Sequence, residues 1–171
     1  LKYRLGDIEQ ARAYLRRLGR VGETAQLGAR LLAQIAREQG DYERTVTELE
    51  RVAETGSSDT LMFLAQARIE TGDPEAAIEA ARRAAESAPD DVRLQIQLGA
   101  TYLSSKREEE GFELLERHVT DPTFGSLAYT TLFDYQFRRL KLPEALELAK
   151  RWTRAFPNEP RGFNRLAGVH I

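Results

Sequence analysis

Side chains that could act as nucleophiles, general bases or metal ligands are few in this chain of 171 residues, and they are not grouped. Cysteine is absent, which removes thiol nucleophiles, disulfides and cysteine–zinc sites. The two histidines, His118 and His170, lack the spacing of metal ligands, and His118 falls at a predicted helix-packing position. No glycine-rich phosphate loop, nucleophile elbow or His-Glu-x-x-His motif occurs. We therefore predict that the chain is not an enzyme and has no catalytic residue, no metal site and no cofactor.

Charged side chains do not form a site for a polyanion either. The nearest approach to a basic cluster comes early in the chain, at Arg12, Arg16, Arg17 and Arg20. Glutamates lie beside these arginines and the formal net charge of the chain is only −2, so a solvated helix face is favoured over a phosphate or lipid-headgroup site. The acidic run Glu108–Glu110 is expected at a helix start, where it meets the positive end of the helix dipole. We predict no nucleic-acid partner.

Apolar residues make up 42% of the chain and charged residues 30%, and no stretch of about 18 consecutive apolar residues occurs. We predict no direct membrane insertion by this segment. The chain opens on Leu1 and closes on Ile171 inside predicted helices, so we expect it to be a fragment of a longer array. Any targeting signal would then lie outside it, and the localisation is unknown.

A helix-break signal recurs along the chain at nearly constant spacing. It is written Gly-Asp at positions 6, 40 and 72, Lys-Arg at 106 and Leu-Lys at 140, at intervals of 34, 32, 34 and 34 residues. Small residues follow five positions after each break, at Ala11, Thr45, Ala77, Gly111 and Ala145. A period of this length is typical of helical solenoids. We therefore predict one helical unit copied along the chain, with function on a surface built by several units rather than in a deep pocket.

The stretch 58–91 shows the unit most clearly. Apolar residues recur at three- and four-residue intervals from Leu61 to Ile69, which indicates one apolar face of a first helix. Gly72 then ends that helix, Asp73 offers an N-cap oxygen and Pro74 suits the first position of a second helix. The second helix presents a face rich in alanine, which lets two helices approach closely. The unit is therefore predicted to be a helical hairpin.

The same pattern predicts ten helices and no sheet. They are expected near residues 7–18, 26–39, 42–54, 58–71, 74–87, 92–105, 108–119, 126–139, 143–155 and 160–171. Gly99 and Gly111 are predicted to mark a close approach of two helices. Phe133 and Trp152 are assigned to packing rather than to a ligand-binding aromatic site, because large aromatic side chains usually serve the core.

Two units carry most of a pattern that resembles the tetratricopeptide repeat (TPR). One has Leu98, Gly99, Tyr102, Gly111, Leu115 and Pro122, and the other has Leu61, Leu64, Ala65, Ala77, Ala81 and Pro89. The resemblance implies an all-α, right-handed superhelical solenoid of antiparallel helix pairs, in a single domain over residues 1–171. Its complete units would be 26–57, 58–91, 92–125 and 126–159, with partial units at 1–25 and 160–171.

The resemblance also implies where a partner binds, since the first helix of each TPR hairpin lines a concave groove. Carried over position by position, the partner-binding residues are Arg30, Gln34, Met62, Phe63, Gln66, Ile96, Gln97, Ala100, Thr130 and Asp134, with Arg37, Ile69, Leu103, Thr131, Phe137, Asn164 and Arg165 on the same strip. The strip mixes apolar side chains with amides. Met62 and Phe63 are either groove contacts or side chains partly buried by curvature of the array, and both alternatives stay open.

The strip lacks the Lys/Asn/Lys/Arg set with which chaperone-binding TPR domains hold a C-terminal carboxylate. Gln34, Gln66 and Ala100 stand where the asparagine of that set would be expected, so we reject a chaperone-tail clamp. The expected function is a non-catalytic protein-interaction scaffold that binds a protein or peptide segment, and the rest of its own longer chain is a second expected partner. The alternative is the TPR arm of a larger bacterial exopolysaccharide-export or glycosyltransferase protein.

Overall fold

The structure, a computed structural model, describes residues 23–169 together with Gln10 and Ala13. These residues form nine α-helices and no strand, which confirms the all-α prediction for this part of the chain. The helices are α1 (Glu23–Glu38), α2 (Tyr42–Glu50), α3 (Ser58–Glu70), α4 (Pro74–Ser87), α5 (Val92–Ser104), α6 (Glu108–Glu116), α7 (Gly125–Arg138), α8 (Leu142–Ala155) and α9 (Pro160–Val169). The predicted helix 7–18 and the break at Gly6 lie outside the described residues, except for Gln10 and Ala13, which are both helical.

The predicted helix boundaries in the described part of the chain are confirmed to within four residues, and the largest differences at helix C-termini are those of α2 and α6. We expected α2 to reach residue 54 and α6 to reach residue 119, whereas they end at Glu50 and Glu116. Beyond Glu50 the backbone tightens, since the N–H of Val52 donates to the carbonyl of Leu49 at 3.1 Å, three residues back rather than four. The N–H of His118 makes the same kind of bond at 3.0 Å. Both helices therefore finish in a tighter turn of the 3₁₀ type.

One backbone motif joins the two helices of each hairpin. Positive φ values occur at Gly40 (75°), Gly72 (78°), Lys106 (62°) and Leu140 (57°), which are the predicted break positions in the described part of the chain. In each case the N–H of the positive-φ residue donates to the carbonyl three residues back, and the next N–H donates to the carbonyl five residues back, at 2.9 to 3.1 Å. This pattern is the Schellman motif, which satisfies the last carbonyls of a helix. The recurring break is therefore one repeated turn.

The residue after each turn is the N-cap of the next helix, and only some of these residues make a side-chain capping hydrogen bond. The side chains of Asp41 and Asp73 accept hydrogen bonds from backbone N–H groups three residues on, at 3.0 and 3.2 Å. Arg107 and Lys141 occupy the equivalent positions without a side-chain cap. Lys106 and Leu140, which precede them, adopt a left-handed conformation. This conformation has a steric cost for both residues that glycine would not have. The two later turns therefore depend more on the packing of their helices than the two earlier ones do.

Small side chains near the start of each second helix allow the two helices of a hairpin to pack closely. Thr45, Ala77, Gly111 and Ala145, each five residues after a turn, are all buried. The Thr45 hydroxyl is satisfied there, because it donates to the carbonyl of Asp41 at 2.9 Å. The predicted role of these small residues is thus confirmed wherever the structure describes them.

Gly99 and Gly111 mark a close approach of α5 and α6, as predicted. A Cβ atom added to Gly99 would lie 2.7 Å from Cγ of Leu115, and one added to Gly111 would lie 2.6 Å from Cδ2 of Leu103. Both distances are well below van der Waals contact, and both leucines are buried. The two helices could not pack at this distance with larger residues at either position.

The chain divides into two compact units, Leu1–Ala88 and Pro89–Ile171. The helices α1–α4 of the first unit pack through small side chains, and the fully buried ones include Ala33, Ala36, Ala77, Ala81 and Ala84. No helix in the part of the chain that is described has both the length and the apolar character needed to cross a membrane.

The second unit, with α5–α9, has a more aromatic core. The ring of Tyr129 stacks on that of Trp152, with centroids 6.1 Å apart and planes 6° from parallel. Phe133 packs in a neighbouring cluster with Ala145 and Ala149. Trp152 and Phe133 are 1% and 2% exposed, which confirms that they serve packing.

Leu140→Gly should raise the free energy of unfolding by about 1 kcal/mol, because glycine adopts a positive φ without the steric cost that leucine carries. Leu140 is 80% exposed, so the substitution removes little packing. Leu27, 60% exposed and inside α1, is the matched control: Leu27→Gly should lower the free energy of unfolding by a similar amount, since glycine is a poor helix former. Urea unfolding followed by circular dichroism measures both changes. A destabilised Leu140→Gly variant would contradict the turn assignment.

Gly99→Ala should lower the free energy of unfolding by about 1–3 kcal/mol, because the added methyl group overpacks against Leu115. This loss should exceed the gain from the higher helix propensity of alanine. Gly168 is helical and has no atom within 4 Å of an added Cβ, so Gly168→Ala should be neutral or slightly stabilising. Thermal melting compares the two variants. If the melting temperature of Gly99→Ala equals that of the unsubstituted chain, the α5–α6 contact is looser than described.

Candidate functional site

The predicted partner-binding residues of the first unit lie on α1 and α3, which are the first helices of the α1/α2 and α3/α4 hairpins. Six of them form what we call the α1/α3 surface: Arg30, Gln34, Arg37, Met62, Phe63 and Gln66. Arg30, Gln34 and Gln66 are exposed, and the other three are half-buried. Spacings of three and four residues place successive side chains on one face of each helix. Met62 and Phe63 are thus partly covered by their neighbours and still partly accessible.

The guanidinium of Arg37 bridges the two helices of this surface. Its Cζ atom lies 5.2 Å from the centroid of the Phe63 ring, within the range of a cation–π interaction. Arg37 and Gln66 also line an open cavity of about 310 Å³. The other lining residues are Tyr42, Ala67 and Glu70. The α1/α3 surface is therefore concave beside Arg37 and combines an aromatic ring, a cation and an amide.

Sequence reasoning missed the three other residues that line this cavity. Glu70 lies one helical turn after Gln66 and shares its face, a signal that the sequence already contains. Ala67 is a small buried residue, and its contribution to the cavity depends on the space that its neighbours leave. Tyr42 starts a second helix, so it falls outside the rule that assigns partner binding to first helices.

The two arginines of the α1/α3 surface differ in their pairing from Arg68 of the same unit. Arg30 and Arg37 form no ion pair with any residue that the structure describes. Arg68 of the same unit, by contrast, pairs with Asp73 at 3.1 Å. The side-chain amide of Gln34 donates to the carboxylate of a neighbour one turn away at 3.1 Å, which leaves its own carbonyl oxygen as an acceptor.

Two predicted polar residues of the second unit, Thr130 and Asp134, are already engaged within the chain. The Thr130 hydroxyl donates to the carbonyl of Ser126 at 2.8 Å. Asp134 pairs with Arg165 at 3.0 Å, and the guanidinium of Arg165 lies 5.5 Å from the centroid of the Phe133 ring. These contacts join α7 to α9. They leave fewer free polar groups here than on the α1/α3 surface.

Ile96 was wrongly predicted as a partner-binding residue. It is 1% exposed and belongs to a core cluster with Leu115 and Tyr129. The reason is the register of α5: Ile96, Gly99 and Leu103 follow one another at three- and four-residue intervals, so they share the face that packs on α6 and α7. Leu103, predicted on the same strip, is buried for the same reason.

The two remaining predicted residues of α5, Gln97 and Ala100, are half-buried. The Oε1 atom of Gln97 is buried and has no hydrogen-bond partner. Neither residue lines one of the cavities described here.

A second cavity, which sequence reasoning missed entirely, lies in the second unit between α6 and α8. We call it the α6/α8 cavity, and its volume is about 390 Å³. Phe112 on α6 and Pro143 and Leu148 on α8 provide its apolar lining. Gln136, from α7, also lines it and is only 8% exposed. No sequence signal marks this cavity, because it arises from the spacing of two helices.

Carboxylates dominate the charged groups around the α6/α8 cavity. Glu116 accepts two hydrogen bonds from Arg151, at 2.6 and 2.9 Å, and this pairing raises the pKa of Arg151. Glu147 accepts a hydrogen bond from Lys150 at 2.8 Å, which lowers the pKa of Glu147. Glu144, also in the lining, has no ion-pair partner among the residues that the structure describes. The lining therefore carries one carboxylate that no cation in the described part of the chain neutralises.

Several solved structures have the same fold as this chain. YrrB, described as a TPR protein with an unusual peptide-binding site, matches with a TM-score of 0.64 and 16% sequence identity over 94% of this chain and 84% of YrrB. MamA AMB-1 matches with a TM-score of 0.56 and 22% identity over 87% of this chain and 82% of that one. PilF of Pseudomonas aeruginosa matches with a TM-score of 0.59 and 21% identity over 95% of this chain and 69% of PilF. At these identities the likeness establishes the fold, an all-α helical repeat, and nothing further.

Sequence models of protein families agree with the fold. Two models described as tetratricopeptide repeat match the chain, one over residues 1–59 and the other over residues 36–98, so together they span more than half of it. No curated protein sequence matches the chain. The matched region contains the α1/α2 and α3/α4 hairpins with their Gly-Asp turns. The chain therefore belongs to the tetratricopeptide repeat family.

Proposed function

We propose that this chain is a non-catalytic protein-interaction module, and that the α1/α3 surface holds an extended segment of a partner protein. The observation that carries the proposal is the position of Arg37, which lines an open cavity together with Gln66 and lies over the ring of Phe63. An aromatic ring offers contact area, and an amide side chain hydrogen-bonds to a peptide backbone through both its ends. These are the groups that a site for an extended polypeptide needs.

The positive charges of Arg30 and Arg37 favour a partner segment with acidic side chains. Arg30 and Arg37 lie seven residues apart on α1, about two helical turns, and both lack a carboxylate partner among the described residues. Arg37 is half-buried, so its pairing with an incoming carboxylate would be screened less than that of a fully exposed arginine. The preferred partner segment therefore carries an acidic side chain that reaches Arg37.

We also propose that this chain catalyses no reaction at the cavity beside Arg37. The cavity beside Arg37 contains one carboxylate, from Glu70, and one phenol, from Tyr42, without a nucleophile held by a base. YrrB, which has a similar fold, is described as having a peptide-binding site, and this supports peptide binding rather than catalysis for hairpins of this kind.

Phe63→Ala and Gln66→Ala should each weaken the binding of a partner peptide about tenfold, which corresponds to roughly 1–2 kcal/mol. Peptides are first selected on the immobilised chain from a displayed random library, and their affinities are then measured by isothermal titration calorimetry. Thermal melting of each variant confirms that it is folded, because Phe63 is half-buried and contributes to packing.

Arg82→Ala is the matched control for these variants. Arg82 is exposed on α4, a second helix of the same unit, where it pairs with Glu79 at 3.0 Å. It should leave peptide affinity unchanged. If Arg82→Ala abolishes binding while Phe63→Ala and Gln66→Ala are silent, the partner uses the second-helix side and the proposed site is wrong.

A further inference from the structure

The α6/α8 cavity has a chemical character that the proposed function does not use. Its lining is apolar at Phe112, Pro143 and Leu148, and its unpaired charged group is the carboxylate of Glu144. It lies in the second unit, whereas the α1/α3 surface lies in the first. A ligand that fits both features has a long apolar stem and a cationic end.

We propose that the α6/α8 cavity binds the side chain of a lysine or arginine of a partner polypeptide. The aliphatic stem of such a side chain packs on Phe112 and Leu148, while its cationic head pairs with Glu144. A volume of about 390 Å³ is ample for one such side chain.

The other charged groups at this cavity leave Glu144 as the available anion. Glu116 is held by Arg151 in a two-bond pair, and Glu147 is held by Lys150. The guanidinium of Arg151 also makes a cation–π contact, because its Cζ atom lies 5.8 Å from the centroid of the Tyr129 ring. Arg151 is therefore occupied, so among the described residues of the lining an anionic ligand finds no unpaired cation, whereas a cationic ligand finds the unpaired carboxylate of Glu144.

A second observation, independent of the charges, points to a hydrogen-bond donor in the ligand. Gln136 lines the cavity, is only 8% exposed, and its Oε1 atom is buried without a hydrogen-bond partner. Buried polar atoms normally have a partner. The last torsion of a glutamine side chain is soft, so its carboxamide can turn toward an N–H group that enters the cavity. Lysine and arginine side chains supply such groups and accept none.

The test is a titration of the ¹⁵N-labelled chain with the N-acetyl amides of arginine, lysine, norleucine and glutamate, followed by NMR. We expect the arginine and lysine amides to shift the backbone signals of Phe112, Glu144 and Leu148, with dissociation constants in the millimolar range that is typical of single side chains. Norleucine amide has the same stem without the charge and should bind about threefold more weakly or worse. Higher ionic strength should weaken the binding of the two cationic amides.

Glu144→Gln should weaken the binding of the arginine and lysine amides about threefold and leave norleucine unaffected. Gln136→Met, which removes the buried acceptor at similar volume, should weaken the cationic amides as well. Glu109 is exposed on α6 and does not line the cavity, so Glu109→Gln is the control that should change nothing. Thermal melting verifies that each variant is folded.

Three results would overturn the proposal. Equal binding of norleucine and lysine amides would make the cavity merely apolar, and preferential binding of glutamate amide would reverse its charge preference. Unchanged binding of the cationic amides to both Glu144→Gln and Gln136→Met would place them elsewhere on the surface. None of these results bears on the α1/α3 surface, which is tested by different variants.

Discussion

The rest of this structure depends on a left-handed residue that ends the first helix of each hairpin. At Gly40, Gly72, Lys106 and Leu140 the chain reverses through the same Schellman motif, with the same two backbone hydrogen bonds. A helix that ended by fraying would not fix the direction of the next one. Because the same turn precedes each second helix, the residue five positions later is buried in every hairpin that the structure describes. This is why those later positions hold only small residues.

Close packing of the hairpins in turn decides which residues remain for binding. In the first unit the core contains Thr45, Val46 and Leu49 of α2 and the alanine-rich face of α4. The polar residues Arg30 and Gln34 of α1 and Gln66 of α3 stay accessible. In the second unit α5 packs with a glycine contact on α6, and bulky aromatic side chains fill the space around α7 and α8. The two units therefore offer different chemistry. The first has arginines and amides beside an aromatic ring, and the second has an apolar cavity with one carboxylate that forms no ion pair among the described residues.

Sequence reasoning could predict the helices and their turns because both are set by local chemistry. The period identified Lys106 and Leu140 as turn positions although neither is a glycine. The resemblance also placed Arg30, Gln34 and Gln66 on an accessible face, and all three are exposed. It failed at Ile96, since the resemblance assigned a whole helix face to the groove and α5 is packed on that face. The cation–π contact of Arg37 and the α6/α8 cavity involve residues from different helices, and only their tertiary arrangement brings them together.

The central claim is that a partner segment lies against the first helices of the first unit. The most direct measurement is a crystal structure of the chain with a peptide selected from a displayed library. The account predicts that the peptide contacts α1 and α3, that an acidic side chain of the peptide pairs with Arg37 and that the Phe63 ring is covered. A peptide bound on α2 and α4, with Arg37 and Phe63 untouched, would contradict it.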